Sequence, residues 1–246
     1  MTGPDRDAFF AVHSGLDREG PGTAADVAWA CRAAGTPSDA LICDAACGTG
    51  ADVAALRRAA PAGRVAAFDR HLPFVADAAA RSAGDAGVTV TQGVLVSDGT
   101  GLPDPAALGP FDLLWCAGAV YFVGVEAALR AWRPALRPGG AAAFSEPVTW
   151  GPPDEETRAF WGGEVLDEPA LDAAVAAAGW AVVARSRVAD EGWRLYYKGV
   201  ERRCAALDRC EAEPIRAAAA EARREARDWE RLRGRLGYAL RVVRPR

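Results

Sequence analysis

The stretch "LICDAACGTGADVAALRR" (residues 41–58) places a carboxylate, Asp44, at the end of an apolar run. Ala46, Cys47, Gly48, Thr49 and Gly50 follow, and then a helical pattern begins. Glycines at 48 and 50 let the chain turn tightly and bring its main chain against a ligand without side-chain interference. The N-terminus of the following helix faces the same spot and favours an electron-rich group. A triphosphate binder would add a lysine and a hydroxyl, as in GxxxxGK[ST], but here "GADV" follows. The turn is not the dinucleotide fingerprint GxGxxG either.

Two further acids narrow the ligand. Asp69 ends the segment "RVAAFD", 19 residues beyond Gly50 (69 minus 50). A carboxylate at that spacing, at a strand's end, can accept both hydroxyls of a ribose. Asp98, in "SDGTGLP", lies just past the next apolar segment, where it could accept an adenine exocyclic amine. Together the turn and the two acids suit an adenosine that carries no phosphates.

These residues need a scaffold that brings strand ends together. Residues 23–35 read as a helix, with Thr23 at its N-cap and Gly35 as its stop. "ALICDA" is a buried strand leading through the turn into a helix over about 51–60, and "RVAAFD" a second strand. A helix over 74–87, a third strand over 88–98, a fourth in "FDLLWCAGAV", a helix in "VEAALRAWRPAL" and a fifth strand in "PGGAAAFSEPV" continue the alternation. Such alternation implies parallel pairing with right-handed crossovers. After Pro147 the rhythm changes. "DEETRAFW" and 168–179 look helical, 180–188 reads as a sixth strand, about 200–233 as one long polar helix, and "GYALRVVRP" as the last strand. The expected fold is α/β: a Rossmann-like, doubly wound, mostly parallel seven-stranded sheet with an antiparallel last strand and a helical cap. Residues 1–35 would form an N-terminal lid and helix, 36–150 the ligand-binding core, and 151–246 the half that completes the sheet and caps it.

The totals exclude some classes. With Lys+Arg 29 against Asp+Glu 33, the net charge of -4 gives no electrostatic footprint for nucleic acid or an anionic membrane surface. "MTGPDRDAFF" lacks a basic start followed by an apolar run, and no window approaches 18 uninterrupted apolar residues. Neither a signal peptide nor a spanning helix is therefore expected, and the expected address is cytoplasmic. The six cysteines show no CxxC pairing, and with two histidines in the chain a zinc site is poorly supplied. The expectation is small, inert thiols and no metal.

In this order and at these spacings, "DAACGTG", "VAAFD", "SDGTGLP", "PFDLLWCAG" and "LRPGGAAAFSEP" resemble the successive motifs of class I S-adenosylmethionine-dependent methyltransferases, over about 40–148. "HSGLDREGPGT", "GAVYFVGVEAALRAWRPAL" and "SEPVTW…RAFW" extend the likeness to a bacterial subgroup of small-molecule methyltransferases. The resemblance implies S-adenosyl-L-methionine as cofactor and a small-molecule methyl acceptor. By the same likeness, the amides from Ala46 through Cys47, Gly48 and Thr49 to Gly50 would hold the methionine portion, and Asp44 would brace the loop. Asp69 would take the ribose with Arg70 beside the adenine. Asp98 and Gly99 would meet the adenine edge, and the Cys116 carbonyl would face the methionine amine or sulfonium. Two positions depart from the pattern. Ala46 stands where the family usually has its first glycine, and Cys116-Ala117 where the subgroup tends to show Ser-Glu.

Methyl transfer is an in-line displacement, so the protein aligns the reactants, excludes water and sometimes removes a proton. Glu146, at the end of the fifth strand, is the best carboxylate for a general base or for gripping an amine. Tyr121 could line the acceptor pocket or meet the sulfonium by cation–π attraction, or simply pack. The polar segment from His13 to Gly22 reads as a lid, with His13 or Arg18 reaching the methionine carboxylate or the acceptor. Trp161, Trp193, Tyr196 and Tyr197 read as pocket wall or as helix core, and "EARREARDWERLRGR" as a solvated helix. A catalytically weak cofactor-binding module is the competing reading, and a nicotinamide oxidoreductase a more distant one. The chain would act as a monomer or homodimer.

Overall fold

The computed structural model describes residues 4–246. Apolar runs at β1 (Leu41–Ala45), β2 (Arg64–Asp69), β3 (Val88–Gln92), β4 (Phe111–Cys116) and β5 (Leu136–Thr149) pair in parallel. Both faces of such a sheet are covered, which is why β1 and β4 read as nearly continuous apolar stretches. β6 (Leu166–Asp167) adds two residues beside β5. β7 (Trp180–Arg187) and β8 (Leu236–Pro245) complete the sheet, with β8 antiparallel to both β5 and β7. The order is β3-β2-β1-β4-β5-β8-β7, so the path reverses between β1 and β4. The eighth strand, β6, exceeds the seven expected, because two residues leave no periodicity to read.

Around the sheet lie α1 (Pro4–His13), α2 (Ala24–Ala34), α3 (Val53–Ala59), α4 (Leu72–Arg81), α5 (Pro105–Leu108), α6 (Val125–Trp132), α7 (Glu155–Trp161), α8 (Glu168–Ala177), α9 (Asp190–Leu207) and α10 (Glu213–Leu232). One layer buries Trp115, Val27 and Leu56 on one sheet face, and another buries Phe144, Trp132 and Trp180 on the opposite face. Among the described residues no helix is long and apolar enough to cross a membrane.

Three expected boundaries move. The single helix over 200–233 is two, α9 and α10, broken at 208–212. Pro214 has no N–H to donate and its ring would clash with the carbonyl four residues back, so the helix must restart there. Arg216 donates to the Cys210 and Glu211 carbonyls (2.9 and 2.8 Å), satisfying groups that the break exposes. β3 stops at Gln92 rather than 98. A side chain on Gly93 would meet the Pro103 carbonyl at 2.8 Å and the Phe68 ring at 2.9 Å, so the strand turns away there. α4 ends at Arg81, well before 87, and its first turn contains Pro73.

α1, α9 and α10 form the cap, packed through Val12, Leu16, Val200, Cys204 and Ala219. The Arg241 side chain is fully enclosed. Arg241 of β8 donates to Asp172 (2.7 Å) and Glu168 (3.3 Å) of α8, and these acids also pair with Arg185 and Arg187.

Candidate active site

In an open parallel sheet, ligands collect beyond the carboxyl ends of the strands where their order reverses. The turn after β1 lies at that point. Ala46, Gly48 and Gly50 all adopt left-handed backbone (φ 56°, 53° and 80°). Ala46 is the one non-glycine residue with positive φ among those described, and its methyl group costs roughly 1–2 kcal/mol there. Replacing it with glycine would remove that strain, offset by about 0.5–1 kcal/mol of added chain freedom in the unfolded state. Ala46→Gly is therefore expected to raise the unfolding free energy by up to about 1.5 kcal/mol in urea denaturation. A loss of stability would show that the alanine is not strained.

The turn is held from within. The Cys47 N–H donates to the Phe68 carbonyl (2.8 Å), the Gly48 N–H to Asp69 Oδ2 (3.0 Å) and the Gly50 N–H to the Cys47 carbonyl (2.9 Å). Three of the five amides expected to hold the methionine portion thus already have partners. The other oxygen of Asp69 accepts from the His71 N–H (2.8 Å), and burial raises its pKa against these bonds. Thr49 donates its hydroxyl to the Asp17 carbonyl (3.4 Å).

Beneath the turn, Asp52 accepts from the indole of Trp115 (2.9 Å) and from Arg18. Arg18 is thus paired with Asp52, whereas His13, the other residue expected to reach the methionine carboxylate or the acceptor, lines the cavity described below. Asp44 is buried and its Oδ2 has no hydrogen-bond partner within the protein. Burial first, and then the charge of Asp52, drives its pKa well up.

The segment from Ser14 to Gly22 folds over the turn. Arg81 of α4 donates to the carbonyls of Asp17 (2.6 Å) and Leu16 (2.9 Å). Glu19 lies so close to the bend that a Cβ on Gly48 would sit 3.2 Å from its Cγ. His13 closes α1 rather than opening a loop, stacks on Phe9 at 4.1 Å and places Nδ1 3.1 Å from Glu19 Oε2.

On the opposite flank, Arg70 and Asp98 face each other across a 2.7 Å ion pair, and Thr100 donates to Asp98 through its N–H and hydroxyl. These bonds hold the Asp98 carboxyl below its usual range, Thr100 contributing most. Gly99 beside it has left-handed backbone (φ 79°). Arg70 is largely exposed, and the expected adenine contacts of both side chains compete with this mutual pair. Cys116 is buried at the end of β4; two residues on, the Gly118 N–H donates to Ser145 Oγ (2.8 Å), tying β4 to β5.

A cavity of about 500 Å³ opens beside Glu19 and brings together His13, Tyr121 and Glu146, the three candidates expected from sequence to act on the acceptor. Glu146 is only 6% exposed, and its Oε2 has no partner in the protein. Burial alone pushes its pKa to about 8. Tyr121 is pushed to about 12, by burial and then by the charges of Glu146 and Glu225. The walls are aromatic: Trp161 stacks on Tyr238 at 5.7 Å, and Trp193 meets Tyr238 edge-on at 5.0 Å.

Glu19 and Glu225 were not among the expected site residues. Glu225 lies in the stretch read as a solvated helix, yet its carboxylate lines the cavity and accepts from Tyr197 (2.9 Å). Its position four residues before the buried Trp229 puts it on the inward helix face, which is the signal that could have found it. Trp193, Tyr196 and Tyr197 sit in the first half of α9, with Trp193 and Tyr196 lining the cavity and Tyr197 packing beside them.

The strand order, the antiparallel β5–β8–β7 edge and a glycine turn at the β1 exit define the Rossmann-like methyltransferase fold. Residues 42–140 match the family described as a methyltransferase domain. No curated protein matches the sequence. A SAM-dependent methyltransferase from Geobacter sulfurreducens, solved with S-adenosyl-L-homocysteine, is 21% identical with a TM-score of 0.81, covering 98% of each chain. YjhP from E. coli is also 21% identical with a TM-score of 0.81, over 97% of this chain and 99% of that one. The 4+2 cyclase SpnF, 21% identical with a TM-score of 0.70, covers 90% of this chain and 81% of its own. At these identities the likeness concerns the fold, and the chemistry has to be argued from the site.

Proposed function

We propose that this chain transfers a methyl group from S-adenosyl-L-methionine to a small organic molecule held in the cavity beside the β1 turn. The observation that carries this reading is the placement of Glu146. It is a buried carboxyl with one unpartnered oxygen, facing an aromatic cavity that adjoins the ligand-binding end of the sheet. The volume of about 500 Å³ suits a small molecule rather than a polymer.

The residues around the turn fit the cofactor. Asp69 has lone pairs beyond its two main-chain bonds to offer a ribose, and the unpartnered Asp44 Oδ2 offers an acceptor for an amino group. The likeness to the Geobacter protein, which was solved with the demethylated cofactor, supports the same choice. When bound, S-adenosyl-L-methionine would supply a sulfonium methyl group whose carbon bonds to an acceptor lone pair while the carbon–sulfur electron pair leaves with sulfur. Glu146 takes a proton from the acceptor. Tyr121, 43% exposed, and the Trp161–Tyr238 stack orient it, and the segment from Ser14 to Gly22 keeps water from the turn.

Calorimetric titration with S-adenosyl-L-homocysteine tests the cofactor half. Wild-type protein is expected to bind it, and Asp69→Ala to bind at least tenfold more weakly, since a charged hydrogen bond is worth about 1.5–3 kcal/mol. Undiminished affinity in the variant would remove Asp69 from the ribose, and binding of NADH in place of the nucleoside would overturn the whole assignment.

A further inference from the structure

We propose that the acceptor is an amine on a flat apolar body, bound as its ammonium ion between Glu19, Glu146 and Glu225. The proposal rests on the methyl-transfer reading and names the acceptor class for it.

The charge of the cavity is one-sided. Three carboxylate side chains enter it from three separate elements: the segment over the turn, β5 and α10. A fourth, Glu164, stands at its exposed rim. Among the described residues no arginine or lysine lines it, and His13 is already paired with Glu19. An anionic acceptor would meet only like charge here, whereas a cation completes the set.

The unmet hydrogen bonds agree. Buried polar groups ordinarily have partners, and each one without a partner asks for an explanation. Two carboxylate oxygens that face this cavity, Glu19 Oε1 and Glu146 Oε2, are buried without one. Both can receive N–H groups, and an ammonium nitrogen offers up to three. A third unmet atom, Trp161 Nε1, is a donor, and it calls for an oxygen elsewhere on the same ligand.

The walls match as well. The faces of Trp161, Trp193, Tyr196 and Tyr238 attract a cation through the ring quadrupole and cover an apolar body through contact area. An ammonium ion has no lone pair to attack with, so one proton must leave. Its N–H bond breaks, the proton forms an O–H bond on the Glu146 carboxylate, and the nitrogen keeps the electron pair. Glu146 therefore both grips the acceptor and readies it.

The experiment uses the full chain with S-adenosyl-L-homocysteine present and reads tryptophan fluorescence. The probes are phenethylamine, 2-phenylethanol and 3-phenylpropionate, which share a ring and differ in the charge of the end group. The amine is expected to bind at least tenfold more tightly than either partner. Glu19→Gln is expected to weaken the amine about tenfold and to move the alcohol less than twofold. Equal or tighter binding of the alcohol or the carboxylate, or no binding of the amine, overturns the proposal. A Glu19→Gln variant that weakens all three alike does so too. The titration without amine separates the two readings: protein that binds S-adenosyl-L-homocysteine but prefers the alcohol keeps methyl transfer and loses the amine.

Discussion

Glu146→Gln should lower turnover about 10²–10⁴-fold, the usual contribution of a positioned general base. Affinity for S-adenosyl-L-homocysteine should stay unchanged, because Glu146 lies in the cavity and not at the turn. The same carboxyl governs the pH response. In the free enzyme it ionises at about 8 instead of its ordinary 4.5, because burial penalises the charged form. In the wild type kcat/KM is then expected to rise through about pH 8 as the base becomes available. Stability runs the opposite way. A carboxyl whose pKa is raised by folding favours the native state only while it is protonated, so that contribution is lost as pH climbs from 4.5 to about 8. Glu146→Gln does not titrate. Its stability relative to wild type should improve across that window and level off above it, while its activity stays low. Paired urea titrations and rate profiles at several pH values check both halves. A glutamine variant that retains wild-type turnover at pH 7 would remove Glu146 from the chemistry.

The second large effect lies away from the cavity. Removing both Glu168 and Asp172 by Glu168→Ala/Asp172→Ala would leave the fully enclosed guanidinium of Arg241 with only the Leu240 carbonyl (3.1 Å). An uncompensated buried charge costs about 3–5 kcal/mol. Arg241→Met is the contrasting change. It removes the buried charge, fills much of its space, and leaves the two acids with Arg185 and Arg187. That variant should stay within about 1.5 kcal/mol of wild type, since an apolar replacement for a buried ion pair is often neutral. Denaturant unfolding of the two variants should differ widely. If Arg241→Met costs as much as the double change, the ion pair itself, rather than the stranded charge, carries the stability.

Much of this architecture is legible in the chain. The buried run ending at Asp44, the turn at Gly48 and Gly50, and Asp69 at the next strand end follow from apolar length and glycine punctuation, and the structure places them at one rim of the sheet. Tyr121 could be named because it follows β4, and Glu146 because it lies near the end of β5, two strands that must end at that rim. Alanine hid other features. In runs such as "ARREAR" a small residue is compatible with either helix face, so the inward position of Glu225 did not stand out against the arginines. The break before Pro214 was written in the sequence and was outweighed by the charge pattern on both sides. The commitment of Arg18 to Asp52 is a tertiary fact, and no local pattern announces which acid a loop arginine will meet.

Glu19 belongs to two compartments: its stem covers the bend at Gly48, and its carboxyl forms part of the acceptor chamber. A substitution at Glu19 is therefore expected to be felt on both sides of one side chain, at the bend and in the cavity.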